Sequence, residues 1–169
     1  MRIHEATTQP VPGVHEAQGR EGKAVNMRKA VIVSGVRTAI GTFGGTLANT
    51  PAADLASVVI KAAIERAGIE PGSVDDVLMG CILQAGQGQN PARQGMLKAG
   101  IPVETPAATI NMVCGSGLRA VAMAAQHIAC GDSDIVVAGG MENMDLAPYV
   151  LDKARTGYRM GNGQVIDSM

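Results

Sequence analysis

Short apolar runs alternate with stretches of helical period along most of this 169-residue chain, and that alternation restricts the fold more than any other feature. Residues 29–34 form a β-branched run followed by turn residues. Thr50 and Pro51 then open a helix, with Thr50 as N-cap and Pro51 at the first helical position. Leu55, Val58, Val59, Ala62 and Ala63 recur on one face of it, and Lys61, Glu65 and Arg66 fill the other. Gly68 closes it. Residues 74–79 read as a strand and residues 84–89 as a polar loop. Asn90 and Pro91 repeat the cap-plus-proline opening, for a helix that runs to about Ala99 and ends at Gly100. Residues 109–113 predict a strand, residues 118–129 an apolar helix closed by Gly131, and residues 135–138 a buried strand before Gly139 and Gly140. The strands are continuous apolar runs, as expected where helices cover both faces of a parallel sheet. The order predicts βαβ units and an α/β fold.

The two ends differ from this pattern. Residues 1–26 are polar, with Pro, Gly, Gln and Glu and no apolar periodicity. They lack the apolar run of a secretory signal and are too acidic for a typical organelle transit peptide. The expectation is a disordered or non-native extension, with Met27 as a plausible natural start. Beyond Pro148 the chain turns Gly-rich and polar, with no clear element in residues 152–169.

Composition narrows the function. Hydrophobic residues make up 46% and charged residues 17%, a globular balance. Aromatics are only 2%, so the core is built from Ala, Val, Ile, Leu and Met, which lets helices and sheet approach closely. The formal net charge of -1 offers no basic face for nucleic acid. No stretch reaches the roughly 20 apolar residues of a membrane span. The three cysteines, Cys81, Cys114 and Cys130, are odd in number and widely spaced, which fits a reducing cytoplasm better than a disulfide framework. His127 and Cys130 lie three apart on a predicted helix, but no second ligand pair accompanies them, so no metal is expected.

Chemistry concentrates at Cys114, between the strand predicted to end at Val113 and the helix predicted to begin after Gly117. A thiol acts as a nucleophile only as thiolate, and a helix N-terminus favours the anion. The flanking glycines allow a sharp turn and close approach of a substrate. The arrangement has the form of a nucleophile elbow with sulfur in place of oxygen, and the Cys114 N–H is placed to help stabilise an oxyanion. The local pattern fits equally well a small core cysteine on a tight turn. Cys81 has no helix N-terminus behind it, and Cys130 sits at a helix C-terminus, where the dipole disfavours a thiolate. Both read as packing.

Several runs resemble thiolases. Residues 111–120, Asn-Met-Val-Cys-Gly-Ser-Gly-Leu-Arg-Ala, look like the active-site segment of that family. Residues 137–144, Val-Ala-Gly-Gly-Met-Glu-Asn-Met, look like its second amino-terminal signature. Residues 37–41, 86–94 and 165–169 match in order and spacing, so the resemblance spans residues 28–169 and points within the family to the bacterial acetyl-CoA acetyltransferases. It implies the layered α-β-α-β-α thiolase fold, of which residues 27–147 would form the amino-terminal domain and residues 148–169 the start of an inserted loop domain. It implies that Cys114 accepts an acyl group from a coenzyme A thioester. A second acetyl-CoA, deprotonated at its α-carbon, would then attack the thioester, and thiolysis is the reverse. It also implies homodimers or homotetramers, no bound cofactor, and a place in fatty-acid metabolism.

The same resemblance implies a Gly-His-Pro histidine, an Asn-Glu-Ala-Phe-type oxyanion segment and a second cysteine in Cys-x-Gly-Gly, and none of these occurs in the sequence. The chain is therefore expected to be incomplete and inactive alone, and to self-associate through faces that a partner domain would cover. Alternatives are one subunit of a split heteromeric acyltransferase, or a non-catalytic interaction module on the same fold. A decarboxylating ketoacyl synthase fits the Gly-Gly-Met-Glu-Asn-Met run less well.

Overall fold

The computed structural model describes residues 27–169. The expectation for residues 1–26 lies outside the described residues. Three helices, α1 (Ala52–Ala67), α2 (Pro91–Lys98) and α3 (Ser116–Cys130), pack on a sheet of three parallel strands, β1 (Asp76–Gly80), β2 (Ala107–Ile110) and β3 (Val136–Gly140). The spatial order is β2-β1-β3, which puts β1 in the centre. The α/β class and the parallel pairing are as the alternation predicts.

Alternation along β1 sorts the core into two layers. Val77, Met79 and Cys81 pack with Ala56, Ile60, Ile64 and Met96 from α1 and α2. Leu78 packs with Ala120 and Ala124 from α3. The small residues serve close approach, since a Cβ on Gly95 of α2 would stand 2.8 Å from the Cβ of Ala56. The opposite face of α3 is open, with Leu118 76% exposed and Val121 and Ala122 also exposed.

β1 and β3 begin together because Asp75 ties them. Its Oδ2 accepts from the N–H groups of Asp134 (2.8 Å) and Ile135 (2.9 Å), and its own N–H donates to the Ile135 carbonyl at 2.9 Å. These bonds, that from Ile135 foremost, together with the Arg28 charge, hold the Asp75 carboxyl below its usual range.

Asn90 caps α2 as predicted. Its Oδ1 accepts from the Arg93 N–H at 3.3 Å, and Thr109 Oγ1 takes the Ala92 N–H at 3.0 Å. Gly68 and Gly131 close α1 and α3 in the left-handed region, also as predicted.

Several expectations are corrected. Pro51, not Thr50, takes the N-cap of α1, because the Thr50 carbonyl is held by the Asn143 amide and the first helical acceptor is the Pro51 carbonyl. The buried stripe of α1 is Ala52, Ala53, Ala56, Ile60 and Ile64, while Val58 is exposed and Leu55 and Val59 face a cavity. Residues 29–34 form no strand. A cavity of about 270 Å³ lies between residues 34–38, α1 and the outer edge of β3, and no ladder bond bridges it. Val31, Ile32 and Val33 stay exposed, and Ser34 Oγ is buried without a partner. Residues 152–169 are not wholly irregular, since β5 (Ile166–Asp167) pairs antiparallel with β4 (Tyr149–Val150). Finally, β2 ends at Ile110 and α3 starts at Ser116, so the turn carrying Cys114 is longer than the sequence suggests.

Candidate active site at the β2–α3 turn

The turn exists because β2 runs out of partner. The last ladder bond is from the Cys81 N–H to the Ile110 carbonyl at 3.0 Å, and the chain then leaves the sheet. Side chains within the turn replace the ladder. Asn111 Oδ1 accepts from the Val113 N–H at 3.1 Å. Ser116 Oγ accepts from the Met112 N–H at 2.8 Å and donates to the Val113 carbonyl at 2.6 Å. The Ser116 N–H donates to that same carbonyl at 3.0 Å. Val113 thereby sits at φ 49°, a left-handed conformation that a β-branched residue rarely adopts.

Cys114 follows at once, exposed, two residues before the first turn of α3 and at the positive end of its dipole. It borders an open depression of about 270 Å³ whose lining includes Gly80, Gly140 and Glu142. The main chains meet closely here. A Cβ on Gly80 would lie 2.7 Å from the Gly117 nitrogen and from Ser116.

Glu142 fixes the opposite wall. Its carboxylate accepts from the N–H groups of Ile82 (2.8 Å) and Leu83 (3.3 Å), and the Ile82 carbonyl in turn accepts from Asn111 Nδ2 at 3.2 Å. A chain of hydrogen bonds thus runs from the end of β3 to the residue before Cys114. Next to it, Asn143 donates to the carbonyls of Leu47, Ala48 and Thr50 and accepts from the Asp145 N–H.

The other cysteines are placed elsewhere. Cys81 borders the same depression, but its side chain belongs to the layer facing α1 and α2. Burial first, and then the Glu142 carboxylate beside it, push its thiol up to about 11. At neutral pH, iodoacetamide is expected to modify Cys114 and Cys130 and to leave Cys81 unmodified in the folded chain. Peptide mapping by mass spectrometry checks this, and rapid labelling of Cys81 would contradict it. Cys130 lies exposed at the far end of α3. His127 is paired with Asp76, Nδ1 to Oδ2 at 3.1 Å, about three helical turns from the start of α3. It therefore serves neither as a base for the Cys114 thiol nor, among the described residues, as part of a cluster able to hold a metal ion.

Comparison with known proteins shows the family. The family model for the thiolase N-terminal domain matches residues 30–169. The chain belongs to the thiolase family. Curated relatives include an acetyl-CoA acetyltransferase of Cupriavidus necator, 59% identical over 143 residues, which are 85% of this chain and 36% of that protein. Another, of Escherichia coli (strain K12), is 62% identical over 142 residues, 83% of this chain and 36% of the relative. The chain thus spans about a third of the length of the curated relatives it matches. The parallel sheet with helices on both faces is that of a thiolase amino-terminal domain. No helix among the described residues is long and apolar enough to cross a membrane.

Sequence reasoning placed Cys114 on the turn but assigned no task to Asn111, Ser116, Glu142 or Asn143. Each is a polar residue inside an otherwise small or apolar run, and that was the available signal.

Proposed function

We propose that this chain supplies the acyl-accepting half of an acetyl-CoA C-acetyltransferase, with Cys114 as the nucleophile. The observation that carries the proposal is the exposed thiol on a strained turn at the start of α3, beside an open depression. A coenzyme A thioester entering there would place its carbonyl carbon against the sulfur. The C–S bond to Cys114 forms, the bond to the coenzyme A sulfur breaks, and coenzyme A leaves as the thiol after taking up a proton. The Cys114 N–H and the positive end of α3 favour the negative charge on the carbonyl oxygen in between. The names of the relatives supply the acetyl group and coenzyme A as substrate.

The condensation step needs groups that move protons at the substrate α-carbon. Among the described residues no histidine stands at Cys114, so these groups come from another segment or subunit. Residues 27–147 act in this reading as the amino-terminal domain and residues 148–169 as the beginning of the loop domain. Assembly as a homodimer or homotetramer, a cytoplasmic location and a role in fatty-acid metabolism belong to the same proposal. It requires no bound cofactor and no metal.

The test is intact-protein mass spectrometry after incubation with acetyl-CoA. A Cys114-dependent acetyl adduct, absent from Cys114→Ser, is the expected result. Absence of any adduct while Cys114 still reacts with iodoacetamide would refute the proposal for this chain.

A further inference from the structure

We propose that Ser116 is a positioning residue for the Cys114 thiol, acting through the backbone of Val113; this rests on Cys114 being the nucleophile. The starting point is the left-handed conformation of Val113, which its residue type does not explain. It is not glycine, asparagine or aspartate, the residues that visit this region readily. Nor does packing hold it, since its side chain is 63% exposed. Both hydrogen-bonding groups of its backbone are instead taken by two side chains. Asn111 Oδ1 receives the N–H at 3.1 Å, and Ser116 Oγ–H reaches the carbonyl at 2.6 Å.

Ser116 is the stronger of the two restraints. It is 4% exposed, and its hydroxyl is used in both directions, accepting from the Met112 N–H at 2.8 Å while donating to the Val113 carbonyl. The hydroxyl therefore ties the 111–112 peptide to the 113–114 peptide and restrains the backbone torsions of Met112 and Val113 between them. The residue itself packs closely on the sheet, since a Cβ added to Gly80 would lie 2.7 Å from the Ser116 Cβ. A backbone held in a sparsely populated region at a functional turn marks a conformation that its surroundings impose. The consequence falls on the next residue. With φ of Val113 positive, the chain reverses direction and Cys114 is carried out of the sheet to the mouth of the depression. With φ negative, the peptide would continue along the line of β2 and the thiol would point elsewhere.

The proposal predicts an unusual rescue. Ser116→Ala should slow alkylation of Cys114 by iodoacetamide by about tenfold or more, the scale expected for a misplaced reacting group. Adding Val113→Asn should restore most of the rate, because asparagine adopts the left-handed region without the hydroxyl. A hydroxyl that merely filled space in the core would not be replaced by a change at an exposed neighbour. Should Ser116→Ala fail to fold, Asn111→Ala provides the second route. It removes the other restraint at an exposed position and should show a smaller loss of the same kind, relieved by the same change at Val113. Rates are read by peptide mass mapping over a range of pH, with circular dichroism to verify folding. An unchanged Cys114 rate and pH profile in a folded Ser116→Ala chain would overturn the proposal. So would a folded double variant that stays as slow as the single one. Failure of the acyl-transfer reading would show separately, as a missing acetyl adduct in the unaltered chain.

Discussion

Gly80→Ala is expected to destabilise the chain by about 3 kcal/mol and to slow alkylation of Cys114 at least tenfold. The added methyl would lie 2.7 Å from the Gly117 nitrogen, the Ser116 carbonyl carbon and the Ser116 Cβ. Two of these are backbone atoms in the first turn of α3, so no side chain can rotate away. Either α3 lifts off the sheet, which exposes Leu78 and Ala120, or the turn bends and carries Cys114 with it. Urea unfolding gives the stability change, and the iodoacetamide rate gives the displacement. Gly72→Ala is the matching control. Its new methyl would meet only Pro102, at 3.9 Å, and the expected change is within about 0.5 kcal/mol. Equal effects at the two glycines would show that loss of chain flexibility, not contact, is responsible.

A loss of about 2–3 kcal/mol is expected for Asn143→Ala. This side chain is 8% exposed, and its amide nitrogen faces three carbonyls, those of Leu47 (3.1 Å), Ala48 (3.1 Å) and Thr50 (2.7 Å). Two N–H bonds serve three acceptors, so at least one is shared. Leu47 keeps a second partner in the Thr50 N–H, but the other two carbonyls would be left without the amide. Asn143→Asp should be at least as damaging. It keeps an acceptor for the Asp145 N–H at 2.9 Å but turns a carboxylate toward three carbonyl oxygens. Unfolding curves measure the loss, and hydrogen exchange should localise it to residues 44–50 and the start of α1. A well-tolerated Asn143→Asp would show that the bonds to the three carbonyls contribute little to stability.

Much of the framework was legible because it depends on neighbours in sequence. The Asn90-Pro91 opening, the glycine closures at Gly68 and Gly131, and the apolar runs of the sheet all follow from local chemistry. The misplaced features have a different origin. Both stripes of α1 are apolar, and choosing between Ile60 and Val58 required knowing where α2 and the sheet lie. Residues 29–34 have strand composition, but strand formation depends on a ladder partner, and β3 is separated from them by a cavity. At the site, a cysteine before Gly-x-Gly announced itself. The groups that hold its turn did not, because Glu142 and Ile82 are 60 residues apart and Asn143 and Leu47 are 96 apart. Val113 was misread for a simpler reason. Its side chain favours extended backbone, and two hydrogen bonds overrule that preference.

The contact between Gly80 and the first turn of α3 leaves main chain against main chain, with no side chain between. Where a reactive residue adjoins such a joint, the course of its backbone does not depend on core volume. Conservative exchanges among Ile60, Met79 and Met96, all on the far side of β1, would alter the melting point without shifting the turn. The joint works like the fixed jaw of a vice. Sequence drift in the core, and any remodelling of the outer walls of the depression, would leave the backbone of Cys114 where it is.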